Sequence, residues 1–133
     1  MCMLIDKLEE ITPRLPEYPP LSSFKVITGI NQARYNFRNG TILSENIYST
    51  HDVAIAKTFI PKGTIIEPHA HAVSDEWVIV IEGSLKMFSE DNEQLLNKHD
   101  SIMVIANKPH HAIAVEDTTI IAITVPKDDG WPN

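Results

Sequence analysis

The feature that most constrains this chain is its rhythm. Short runs of β-branched and aromatic residues are each cut off within a few positions by glycine, proline, asparagine or aspartate. Runs of that length suit strands, and turn residues between them mark an all-β sandwich or barrel. Strands are expected near 23–28, 33–37, 41–48, 52–60, 64–71, 76–82, 84–88, 94–97, 101–105, 110–115 and 118–125. Pro61-Lys62-Gly63 reads as a turn, and Ser89 to Glu93 as a polar hairpin tip. Ahead of the strands, Leu4, Ile5, Leu8 and Ile11 fall at helical spacing, and Pro13, Pro16, Pro19 and Pro20 hold the next stretch extended. The expected organisation is a short N-terminal helix or extended arm over residues 1–21 and one β domain over 22–133.

Within that rhythm, residues 63–83 carry His69, His71 and Glu76 between Gly63 and Gly83. Strand side chains alternate between faces, so His69 and His71 project the same way. Ala72 to Asp75 can turn the chain, and Glu76 opens the run Trp77-Val78-Ile79-Val80-Ile81, in which Glu76, Val78 and Val80 share a face. Two neighbouring strands can therefore aim three ligands at one point. Pro109-His110-His111 lies about one hairpin downstream and offers a fourth. Neutral imidazoles supply lone pairs and a carboxylate offsets the ion's charge, so the pattern suits a divalent metal. The plainer alternative is a pair of surface histidines beside a solvated acid. Asp75 and Glu82 are acids of that kind, but only Glu76 stands at the matching spacing.

These residues resemble the cupin superfamily. Its first motif runs glycine, five residues, histidine, one residue, histidine, three or four residues, glutamate, six residues, glycine. Residues 63–83, GTIIEPHAHAVSDEWVIVIEG, match at each specified position. The second motif is degenerate here. In residues 99–110, HDSIMVIANKPH, His99 stands for the first glycine, Ile105 for the proline and Asn107 for the second glycine, while His110 falls on the histidine position; Ala114 replaces the closing asparagine. Asparagine tolerates left-handed backbone better than most residues. Counting from Asp100 favours His110 over His111 as the ligand. The resemblance extends over roughly residues 22–126. It implies an antiparallel β-barrel, or double-stranded β-helix (jelly roll), with one divalent transition metal (Fe, Mn, Ni, Zn or Co) held by His69, His71, Glu76 and His110.

Composition excludes other classes. The 133 residues fit one domain with a single core. The longest aliphatic runs are strand-length, which argues against a membrane span, and the start MCMLIDKLEE lacks a signal-peptide pattern. Cys2 is the lone cysteine, which rules out an intrachain disulfide and suits a reducing, cytoplasmic setting. A net charge of −7 without a basic cluster disfavours nucleic acid. A homodimer is expected, as the commonest oligomer and a frequent cupin arrangement.

Four protein ligands leave two positions open on an ion that prefers six. The resemblance thus implies a metal-dependent enzyme of dioxygenase, isomerase or lyase type acting on a small polar metabolite, with a non-catalytic binding or sensing module as the alternative. Tyr35, Phe37 and Tyr48 are expected to pack the core or line a pocket, Arg34 and Arg38 to be solvated or to bind a substrate carboxylate, and Trp131 to lie at the barrel mouth, on its outside or at a subunit contact. His51 and His99 are expected at the surface.

Overall fold

The computed structural model describes residues 31–126, and side chains from residue 32. Ten strands fill this span: β1 (Asn31–Phe37), β2 (Gly40–Ser49), β3 (Ala54–Ile60), β4 (Ile65–His69), β5 (Asp75–Glu82), β6 (Ser84–Ser89), β7 (Asn92–Asn97), β8 (Ser101–Val104), β9 (His110–Ala114) and β10 (Thr118–Val125). They fall close to the expected runs, except that β4 ends at His69, so His71, expected on the same strand face, lies in the loop beyond it. The expected N-terminal helix or arm, the strand near 23–28 and Trp131 lie outside the described residues.

All strand pairings are antiparallel. Six strands form one sheet in the order β1-β2-β3-β10-β5-β8, and four form a second, β4-β9-β6-β7. From β3 onward the chain changes sheet at each connection except the β6–β7 hairpin. The core lies between the layers, with Ile42, Ile60, Val78, Val80 and Ile120 from the larger sheet meeting Ile66, Leu85, Met87, Leu96 and Ala114 from the smaller. The alternation is clean in β3, whose burial switches at each residue, as one face against the core dictates.

The expected antiparallel all-β architecture is present, and among the described residues it does not close into a barrel, because the hydrogen-bonded ladders stop at the sheet edges. One isolated bridge, Arg38 with Ile65, joins the two sheets. β7 and β8 are consecutive yet belong to different sheets. Between them the turn at Lys98-His99 swings the chain across, with His99 at φ 75°.

The turns bear out the glycine logic of the motifs. Gly63 and Gly83 both have positive φ, and so do His99 and Asn107, the two residues that stand where the second motif has glycine. The backbone has kept the left-handed turns while losing the residue that adopts them freely.

One departure from simple alternation matters for the site. In the β4–β9 ladder, Ile66 pairs with Ala112 and the next pair is His69 with His110, so three steps on β4 oppose two on β9. The extra residue is a bulge. It falls beside Pro68, which has no N–H to give a ladder. Through it Ile66 and His69 both reach the inner face, although plain alternation would set them on opposite faces.

Candidate metal centre

Four side chains converge at one end of the space between the sheets. His69 ends β4, Glu76 is the second residue of β5, His110 opens β9, and His71 stands in the β4–β5 loop. The ligand-capable atoms of His69, His71 and His110 all lie within 4.8 Å of one another. Glu76 Oε1 is 3.6 Å from His71 Nε2 and 3.6 Å from His110 Nε2. His71, Glu76 and His110 are buried, and His69 is partly exposed.

The backbone aims two of the rings. His69 Nδ1 lies 2.8 Å from the Glu67 carbonyl oxygen, and His110 Nδ1 lies 3.0 Å from that of Lys108. A ring nitrogen facing a carbonyl is the donor, so in the neutral form of each ring Nε2 carries the lone pair. Nε2 of His110 is buried without a hydrogen-bond partner among the described residues. Such an atom costs on the order of 1–3 kcal/mol unless something satisfies it. A metal ion would do so, and nitrogen donors beside one carboxylate suit a divalent transition metal. The residues present therefore fit the group.

The loops that carry these side chains are tied together. The Asn107 amide donates to the His71 carbonyl at 2.6 Å, and the Ala106 amide donates to Asp75 Oδ1 at 2.8 Å. Ser74, almost wholly buried, donates through its hydroxyl to the Pro126 carbonyl. The β8–β9 loop, which delivers His110, is thus fastened to the loop that holds His71.

Electrostatics follow from this packing. Burial pushes the Glu76 carboxyl up, but His110 and His71 face it and outweigh that effect, holding it at about 2. Burial, with help from His110 and His71, lowers His69 against the opposing pull of the Glu67 carbonyl and of Glu76. The unligated centre thus favours an ionised carboxylate and a neutral His69, the forms a metal requires.

A cavity of about 520 Å³ opens beside the centre, with His69, Glu76 and His110 in its wall. This lies within the usual range for small-molecule sites. Of the pocket candidates from the sequence, Tyr35 lines the cavity, whereas Arg34, Arg38 and Tyr48 do not. Arg38 pairs instead with Glu67 at 3.6 Å, and Tyr48 is exposed. Tyr35 and Phe37 pack against the core. His111 points the other way from His110 and stacks on Phe88, ring centroids 4.5 Å apart. His51 is exposed beside Asp52, and His99 is exposed in its turn. Sequence reasoning missed the polar lining, which includes Gln32, Ser44, Asn46, Ser49, Thr58 and Thr124. The available signal was small or polar residues at inward positions of otherwise aliphatic strands.

Comparison with known proteins agrees with this architecture. A family model described as the cupin domain matches residues 57–126. A curated pectin degradation protein, KdgF of Dickeya dadantii, is 26% identical over 73 residues, covering 55% of this chain and 66% of that protein. The match thus spans just under two thirds of that relative. The solved structure of KdgF from Halomonas sp. superposes with a TM-score of 0.66 at 22% identity, covering 74% of this chain and 91% of that one. An RmlC-like cupin from Shewanella frigidimarina gives a TM-score of 0.66 at 19% identity, covering 75% and 88%. At these identities the two solved structures speak for the fold.

Proposed function

The chain belongs to the cupin domain family, and from that premise we propose that it is a metal-dependent enzyme acting on a small polar metabolite, with one divalent transition metal held by His69, His71, Glu76 and His110. The observation that carries this reading is the convergence of three imidazoles within 4.8 Å of one another, beside a buried carboxylate and against a ligand-sized cavity. Bound there, a divalent ion supplies Lewis-acid polarisation of a substrate oxygen. The chain's own residues do the rest. Glu76 offsets the ion's charge, and the Glu67 and Lys108 carbonyls hold two imidazoles in the donor tautomer. The curated relative is named for pectin degradation, and pectin is a polymer of acidic sugars, which favours a sugar acid as substrate.

The test is elemental analysis of protein purified without added metal. About one transition metal per chain is expected in the wild type, with loss in His69→Ala and Glu76→Ala and retention in His111→Ala. Wild-type protein that neither carries nor takes up a transition metal would sink the reading. Turnover of a panel of sugar acids by the loaded protein then separates an enzyme from a binding module.

A further inference from the structure

The cavity beside the metal centre is elongated, and strand register shows its direction. Glu76 pairs across the larger sheet with Thr124, Thr124 with Ala54, and Ala54 with Ser49. All four residues line the cavity. They form one row running straight across β5, β10, β3 and β2. Three strand spacings separate its ends, about 14 Å.

The neighbouring rows explain why space exists there. The next row reads Val78, Ala122, Ala56, Asn46, and the one beyond reads Ile120, Thr58, Ser44. Along the first two rows β10 and β3 carry only threonine and alanine, and β2 carries serine and asparagine. Small side chains cannot fill the gap between layers, so the volume opens sideways from Glu76 toward β2.

The two walls differ in chemistry. Ile66 of β4, Leu85 and Met87 of β6 and Ala112 of β9 make the smaller sheet's side apolar. The far end on β2 carries Ser44, Asn46 and Ser49. Thr58 donates to Ser44 at 3.3 Å, and the Ser44 hydroxyl, Asn46 amide and Ser49 hydroxyl are the groups there to meet a ligand.

Resting on the metal-centre reading, we infer that the substrate is an extended hydroxy acid. Its adjacent oxygens lie at the His69–Glu76–His110 end, and a body of several carbons runs along the Thr124–Ala54–Ser49 row. One edge of that body carries hydroxyls facing β2, and its other side is apolar against Ile66 and Met87. A two-carbon chelator would leave most of the cavity empty.

The test compares three ligands that share one chelating head and differ in body. Cobalt(II)-loaded protein is titrated with glycolate, 2-hydroxyhexanoate and gluconate, and binding is read from the cobalt visible spectrum. Gluconate is expected to bind at least about tenfold tighter than glycolate, with 2-hydroxyhexanoate between them. Ala56→Leu, which fills the middle of the cavity, should erase gluconate's advantage and leave glycolate binding unchanged. Asn46→Leu, at an exposed position on β2 that is safe for folding, should reduce the advantage by several-fold. Glycolate that binds as tightly as gluconate overturns the extended-body assignment while upholding the metal centre, and so does an advantage that survives both variants. Tightest binding by 2-hydroxyhexanoate overturns the hydroxyl-bearing edge. Protein that takes up no cobalt overturns both readings together, whereas cobalt uptake with a spectrum that none of the three ligands changes overturns the substrate assignment alone.

Discussion

At the scale of single residues, four of the described non-glycine residues, Asn39, Glu90, His99 and Asn107, stand in backbone conformations that suit glycine. His99, at φ 75°, donates its amide to the Val80 carbonyl at 2.7 Å, so the turn is fixed by a bond the side chain does not make. Its ring is exposed. His99→Gly should therefore stabilise the fold by about 0.5–1 kcal/mol, since relief of left-handed strain exceeds the entropy glycine adds to the unfolded chain. Urea denaturation would measure this. Acid lability also belongs at this scale. His69 folds with its pKa below 6.5, so the unfolded state binds more protons and stability falls as pH drops through 6.5. Glu76 folds at about 2 against an ordinary 4.5, so the unfolded state again binds more protons between those values and stability falls further there. Metal-free protein should show a Tm that declines in both windows, and Glu76→Gln should flatten the lower one. The side chains that cluster at the centre were legible because their types and spacing carry the chemistry. The cavity lining was not, because alanine and serine announce nothing until register shows that they face one another.

At the scale of elements, the strands were read correctly from their alternation and turn residues, while the faces were harder. The two glycines of the first motif look equivalent in sequence, and the structure separates them. Both have positive φ, but a side chain at Gly63 would enter open space, whereas one at Gly83 would collide with the Asp117 carbonyl and with Thr118. Thr118 cannot yield, because its hydroxyl donates toward the Ser84 and Glu116 carbonyls and accepts from the Ser84 amide. Gly63→Ala should cost about 1 kcal/mol, from backbone strain alone. Gly83→Ala should cost roughly 3 kcal/mol or more, because overlap with backbone adds to that strain. Chemical denaturation of the two variants side by side distinguishes these outcomes. Equal losses would mean that close approach at Gly83 does not matter.

At the scale of the whole molecule, the two sheets meet along a continuous apolar core, and the proposed ligands come from both of them. His69 and His110 belong to the smaller sheet and Glu76 to the larger. An ion held by all three would fasten the layers at the end where polar groups replace core packing. Saturating metal should then raise Tm, and a chelator should lower it. The stabilisation is about 4 kcal/mol when free metal exceeds its dissociation constant a thousandfold. Calorimetry with and without chelator tests this, and the difference should vanish in His69→Ala. Strand rhythm implied a wrapped all-β domain but left open whether its ladders close. Closure depends on where the chain swings between layers, and His99, an unusual residue for such a turn, concealed one of those points.

The bulge in β4 gives that strand something like a reading frame. Ile66 fills the core and His69 faces the site because one extra residue lies between them. Losing that residue would leave His69 two places after Ile66, on the inner face of an ordinary ladder and still opposite His110. Gaining one would carry His69 a step past His110, along the strand and away from its partner. The strand's length is therefore elastic in one direction only: one residue fewer keeps the imidazole opposite His110, and one more does not.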